Sequence, residues 1–134
     1  MKSLNASLIC TTLILMLLLS GCFSLLGPGP NSLIRRALNS TKTKQAILFL
    51  KGGNATADDS LQISIKDASD SLNETEVGNT FTTDSDHGKA ILNASAISLY
   101  WKDNDHLVIS YDKRLRTFFK NKNVEDVEIM YQAR

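Results

Sequence analysis

Ile97-Ser98-Leu99-Tyr100-Trp101-Lys102-Asp103-Asn104-Asp105-His106-Leu107-Val108-Ile109-Ser110-Tyr111 is the stretch that decides the fold. Ile97, Leu99 and Trp101 alternate with Ser98, Tyr100 and Lys102. After Asp103-Asn104-Asp105 the alternation resumes with Leu107, Ile109 and Tyr111. A two-residue period sends successive side chains to opposite faces of a strand. Asp and Asn between two such runs supply side-chain oxygens for the backbone amides of a turn. The stretch therefore predicts an antiparallel hairpin.

The same pattern extends outward. Val127, Ile129 and Tyr131 alternate with Glu128 and Met130, a closing strand. Leu61, Ile63 and Ile65 alternate with Gln62, Ser64 and Lys66, a half-buried strand. Ala46 to Leu50 is continuously apolar, as in a strand covered on both faces. Phe81 marks a short strand, and Ala90 to Asn93 the start of another. Residues 51–60 and 67–79 are polar and read as loops. The fold class is mainly β: a single small antiparallel β-sheet domain over residues 44–134, sandwich-like or an open sheet. Leu33, Ile34, Ala37 and Leu38 are spaced as on a helix behind an N-cap candidate at Asn31 or Ser32, so a short N-terminal helix fits there.

The N-terminus carries a different signal. Lys2 precedes an apolar run from Leu8 to Leu19, too short for an easy membrane span of about 20 residues but right for a secretory signal. It ends in Leu19-Ser20-Gly21-Cys22, which resembles the lipobox of bacterial lipoproteins. The resemblance implies that residues 1–21 are removed and that the Cys22 thiol carries acyl chains. Residues 22–43, with Gly27-Pro28-Gly29-Pro30, then form a lipid-anchored tether. It implies a location in the bacterial cell envelope. With Phe23 rather than Asp behind the cysteine, that is the outer membrane facing the periplasm if the cell is Gram-negative. The competing reading is an uncleaved anchor helix over residues 4–26, with Cys22 incidental.

The chain holds two cysteines, Cys10 in the signal and Cys22 at the anchor. No disulfide then staples the exported domain, and its core alone must hold it. Fifteen Lys and Arg against fourteen Asp and Glu give a net charge of +1, which does not point to nucleic acid. The distribution is uneven. Arg35, Arg36, Lys42, Lys44 and Lys51 precede any acid of the mature chain, and an acidic stretch from Asp58 to Asp86 follows.

Four segments occur in a fixed order: residues 52–65 (GGNATADDSLQISI), 78–88 (GNTFTTDSDHG), 97–111 and 124–132 (VEDVEIMYQ). Together they resemble a family of small uncharacterised bacterial proteins, many of them lipoproteins, over roughly residues 44–132. Many members have Cys-Gly where this chain has Gly53-Asn54, so the thiol chemistry of that site is missing here. The resemblance implies a fold and transfers no activity.

Chemical constellations are few. Asp84, Asp86 and His87, followed by Gly88, are the candidate metal ligands, but alternate carboxylates with a glycine make only half of a calcium loop. Two histidines in the chain exclude a multi-histidine zinc site. No G-x-S-x-G, H-E-x-x-H or P-loop motif occurs. Lys113, Arg114, Arg116, Lys120 and Lys122, interleaved with Phe118 and Phe119, form a candidate contact segment for an anionic envelope polymer. The competing reading is a hairpin loop whose phenylalanines enter the core. The sequence thus predicts a non-enzymatic, cofactor-free envelope lipoprotein that binds or scaffolds a protein or polymer partner. The second reading is an inhibitor or protective factor against an envelope-directed hydrolase.

Overall fold

Lys44–Lys51 shows why the chain folds as it does. In the computed structural model, which describes residues 29–134, this segment is strand β2, preceded by β1 (Asn31–Leu38) and followed by β3 (Ser60–Asp67). Its apolar run is buried on both sides, as Ala46, Ile47, Leu48 and Phe49 are all inaccessible to water. β4 (Phe81–Asp84) and β7 (Arg116–Lys120) complete an antiparallel sheet of order β1-β2-β3-β4-β7. The second sheet holds β5 (Ile97–Trp101), β6 (His106–Tyr111), β8 (Asn123–Val124) and β9 (Val127–Ala133) in the order β5-β6-β9-β8.

The inner faces of the two sheets meet in one hydrophobic cluster. Leu48, Leu61, Ile63, Ile65 and Phe81 come from the first sheet, and Ile97, Leu107, Ile109, Val127 and Ile129 from the second. Each such side chain, fully buried, contributes roughly 1.5–3 kcal/mol of transfer free energy. Phe81 stacks at a tilt on Tyr111 and Tyr131, with ring centroids 5.1 and 5.3 Å away, and joins the sheets where β4 passes beneath β6 and β9. The mainly-β domain with two packed sheets matches the expected fold class.

The expected hairpin forms with Ile97 opposite Tyr111 and Trp101 opposite Leu107. Asp103 Oδ1 accepts from the Asp105 N–H at 2.9 Å, and the Lys102 N–H donates to His106 O at 2.9 Å. The closing strand β9 also forms, but it runs parallel to β6, with Leu107 opposite Ile129. Between β6 and β9 the chain crosses to the first sheet as β7 and returns through the β8–β9 turn. Glu125 and Asp126 there take positive φ of 51° and 62°, the backbone that a two-residue hairpin turn requires.

Four expectations are corrected. Asn31–Leu38 is a strand paired along β2, not a helix or a free tether, so the sheet begins at Asn31 rather than Lys44. The register slips between Leu33 and Arg35, a bulge that places Ile34 against the core and disguises the strand's period. β3 is buried on both faces rather than half-buried, because the segment after it folds back across the outer face. Gln62 Oε1 accepts from the Gly78 N–H at 2.7 Å, Gln45 Nε2 donates to Asp70 O at 2.6 Å, and Lys66 pairs with Glu76 at 2.8 Å. Ala90–Asn93 is not a strand but the irregular link between the turns at 86–89 and 94–96, with the Ala90 N–H donating to Ser85 O at 3.1 Å. Residues 116–120, read as a loop feeding phenylalanines to the core, are edge strand β7, with Phe118 60% and Phe119 44% exposed.

Candidate functional site

The outer face of the first sheet carries a groove at the end where β3 begins and β4 finishes. Register sets its floor: Ser60 lies opposite Asp84, and Asp84 opposite Arg116. Thr82 adds a hydroxyl, Phe118 stands at one side, and His87 with Thr56–Asp58 forms the rim, around a volume of about 420 Å3. A second depression of about 630 Å3 shares Ala57, Asp58 and His87 and continues it toward Gly53, Gly88 and Leu92.

Both walls are fixed by local chemistry. Asn54 Oδ1 accepts from the Thr56 and Ala57 N–H groups at 2.9 and 3.0 Å, and the Asn54 N–H donates to Ala57 O at 2.9 Å. The Gly53 N–H donates to Asp59 Oδ1 at 2.7 Å. A Cβ at Gly53 would stand 2.0 Å from Ala57 O, so this wall admits no side chain there. The other wall is a left-handed run: Asp86, His87 and Gly88 have φ of 48°, 59° and 84°. Asp84 Oδ1 takes the Asp86 N–H at 2.8 Å, and Ser85 Oγ takes the Gly88 N–H at 2.9 Å.

The candidate metal ligands Asp84, Asp86 and His87 adjoin one another but engage cations of the protein itself. Arg116 grips Asp84 through Nε, at 3.1 Å from Oδ1, and through Nη2 on Oδ2, and its Nη1–H points at His87 Nε2, 3.4 Å away. Burial pushes the Asp84 carboxyl up, but the hydrogen bonds from Arg116 and the Asp86 N–H outweigh it and hold it below its ordinary value. Asp86 is lowered by its 2.6 Å bond from Lys89. Among the described residues no three His, Cys, Asp or Glu side chains converge on a common point.

The basic segment does not form one surface. Arg116 turns to the outer face and lies 4.9 Å over the Phe118 ring. Lys120 turns to the inner face, where it donates to Tyr111 Oη at 2.6 Å and covers the Tyr111 and Tyr131 rings at 4.7 and 5.3 Å. Arg114 folds onto Asp112 at 2.6 Å, and the Lys113 N–H is tied to Arg134 O. Lys122 is exposed beside β8. Sequence reading singled out Asn54, Asp58 and Phe118 separately, at the Gly53-Asn54 position, in the acidic stretch and in the basic segment, but did not bring them together in one groove. An Asn-x-Thr loop after Gly-Gly was the available sign for the first, whereas the register that brings β7 beside β4 has no local signature.

At the opposite end of the domain lies an acidic depression of about 550 Å3, lined by Asp105, His106, Glu125, Asp126 and Glu128. His106 sits between Asp103, 2.7 Å from Nδ1, and Glu128, 3.4 Å from Nε2, and Asp103 above all raises its pKa. Leu19, Ser20, Gly21 and Cys22 lie outside the described residues. Among the described residues no helix is long and apolar enough to cross a membrane. Comparison with protein-family models, with curated proteins and with solved structures returns no match.

Proposed function

We propose that this chain is a lipid-anchored protein of the bacterial envelope whose β-domain binds a partner and does no chemistry of its own. The anchoring half rests on one observation, the Leu19-Ser20-Gly21-Cys22 sequence that closes a signal-like apolar run. Several acyl chains on one cysteine hold a protein stably where a single chain does not. The binding half is supported by the groove on the outer face of the first sheet. Its walls are set by side-chain oxygens that accept from backbone N–H groups, and Arg116 engages both Asp84 and His87, an arrangement suited to presenting shape rather than transferring protons. Hydroxyls on the floor and an aromatic ring at the side suit an extended protein segment or a polymer.

Cys22→Ala tests the anchor: acyl labelling should vanish and an unprocessed precursor accumulate, and persistent labelling overturns it. A photocrosslinker placed at Thr56, on the groove rim, tests the binding module in living cells. One discrete adduct, absent when the crosslinker stands at Tyr100, is expected; the same products from both positions overturn the groove as the contact.

The second reading, an inhibitor of an envelope-directed hydrolase, draws on the acidic loop region over residues 58–86, whose Asp58 and Asp59 line the groove and its continuation. A basic enzyme held there would dissociate steeply as salt rises, because exposed charge pairs are screened over about 10 Å at 0.1 M. A complex insensitive to salt would rule this reading out.

A further inference from the structure

We infer that the exposed side of β1 is a docking surface for the anionic headgroups of the membrane to which the chain is anchored, an inference that rests on the lipid-anchor reading above. β1 is the edge of its sheet and, among the described residues, the first element after Cys22. Fully extended, the chain from Cys22 to Asn31 reaches at most about 30 Å. No other strand follows Cys22 so closely along the chain.

The chemistry of β1 fits that neighbour. Leu33 and Leu38 are 50% and 48% exposed, and Arg35 and Arg36 are exposed between them. Leu33, Arg36 and Leu38 pair with Phe49, Ile47 and Gln45, which puts all three on the outer face of the sheet. The bulge at Ile34 leaves Arg35 on the other side of the same edge, so one approach meets both guanidinium groups. Neither is in an ion pair among the described residues, whereas Lys44, Lys66, Lys89, Arg114 and Arg116 each hold a carboxylate. Exposed Lys42 extends the basic line at the hairpin corner. Among the described residues, acids lie near its ends, including Glu76, whose carbonyl accepts from Asn31 Nδ2, and Asp70, whose carbonyl accepts from Gln45 Nε2 opposite Leu38. Glu74 meets β1 through its backbone carbonyl at Asn31, and Asp67 and Glu125 are engaged by Lys44.

Arginines between leucines suit the boundary of headgroup and acyl chain, where the stems lie on apolar surface and the charged heads meet phosphate. Each basic residue close to an anionic leaflet shifts the balance about five-fold, and the two arginines together about thirty-fold toward the docked orientation. A tether alone leaves the domain free to rotate; this surface would hold one orientation and direct the acidic depression, at the Leu38 end of the strand, along or away from the bilayer.

The test uses the full, processed and acylated protein in vesicles. A single thiol at Leu38→Cys carries a fluorophore, since the processed wild-type chain has only the acylated Cys22, and a control label is placed at Asn123→Cys on the far edge of the second sheet. Spin-labelled lipid in phosphatidylglycerol-containing vesicles should quench position 38 several-fold more than position 123. The difference should disappear in phosphatidylcholine vesicles and in the Arg35→Glu, Arg36→Glu variant, whose circular dichroism checks that the sheet is intact. Equal quenching at the two positions overturns the docking surface. Quenching that follows protein density instead of lipid charge also overturns it and assigns the edge to a second copy. Intact mass separates the two levels of inference. A protein without acyl chains overturns the anchor and the docking with it, whereas an acylated protein with equal quenching overturns the docking alone.

Discussion

Replacing Trp101 should unfasten the two sheets at the edge that β1 and β5 share. Trp101 is the last residue of β5, packs partly buried against the core, and donates its indole N–H to Ala37 O on β1 at 2.8 Å. An aromatic side chain buries about 150–250 Å2, and a partly buried indole about 150 Å2. At 25 cal/mol per Å2 that is worth about 4 kcal/mol, which falls to about 3 once the compact unfolded chain is the reference. The hydrogen bond adds about 1 kcal/mol. Trp101→Ala should therefore cost about 3–4 kcal/mol. Trp101→Phe keeps most of the area and should cost about 1–2 kcal/mol. With a urea m-value of about 1.5 kcal/mol/M, the midpoint drops by about 2 M for alanine and about 1 M for phenylalanine. Far-UV circular dichroism must follow the transition, because Trp101 is the sole tryptophan and the variants lose the fluorescence probe. A shift under about 0.5 M for alanine would refute the reasoning, since the ring would then contribute no packing. Equal shifts for both variants would assign the stability to the hydrogen bond instead of the area.

Gly53→Ala forces a Cβ onto Ala57 O and should destabilise by about 1–3 kcal/mol, with the lost hydrogen-exchange protection confined to residues 53–59; uniform protection would refute the loop geometry. Arg116→Ala leaves the buried Asp84 carboxylate without its partner, so the thermal midpoint at neutral pH should fall and the carboxyl should titrate at higher pH than in wild type, as read by NMR. Because the folded Asp84 pKa is lowered, its pair stabilises fully above the unfolded carboxylate pKa near 3.8 and is lost as pH falls through the folded value; the variant should lack that part of the acid dependence. His106 has the opposite sign. Its folded pKa is raised above 6.5, so its stabilisation is complete below 6.5 and fades as pH rises through the folded value, an effect His106→Gln should abolish in pH-dependent melting curves.

The β5–β6 hairpin was legible because everything that makes it is local: two in-phase alternations and an Asp-Asn-Asp link. The parallel pairing of β9 with β6 was not, since a period of two is the same whichever way the neighbour runs. β1 looked helical for a physical reason. The bulge at Ile34 resets the alternation, and the resulting spacing of Leu33, Ile34, Ala37 and Leu38 imitates a helix face. A second bulge, between Thr82 and Thr83 on the pairing with β7, falls at Phe118 and Phe119 on this exposed edge strand and breaks its alternation. The groove was half legible. Asp84, Asp86 and His87 are adjacent in sequence, but Arg116, which engages the first and faces the third, arrives 32 residues away through strand register.

The close contact of Gly29 with Gly52 has a mechanical meaning. A Cβ on Gly52 would come within 2.8 Å of Gly29 Cα, and the Gly29 N–H donates to Gly53 O, so the chain enters the domain against the loop that walls the groove. A tug between the incoming chain and a ligand in the groove therefore acts at one end of the β1–β2 ladder, at Asn31 and Lys51, and would open its rungs one after another like a zipper. A tug between the incoming chain and the β8–β9 turn at the far end runs along the strands and loads every rung at once. The same domain is a weak link or a strong one depending on which end is held.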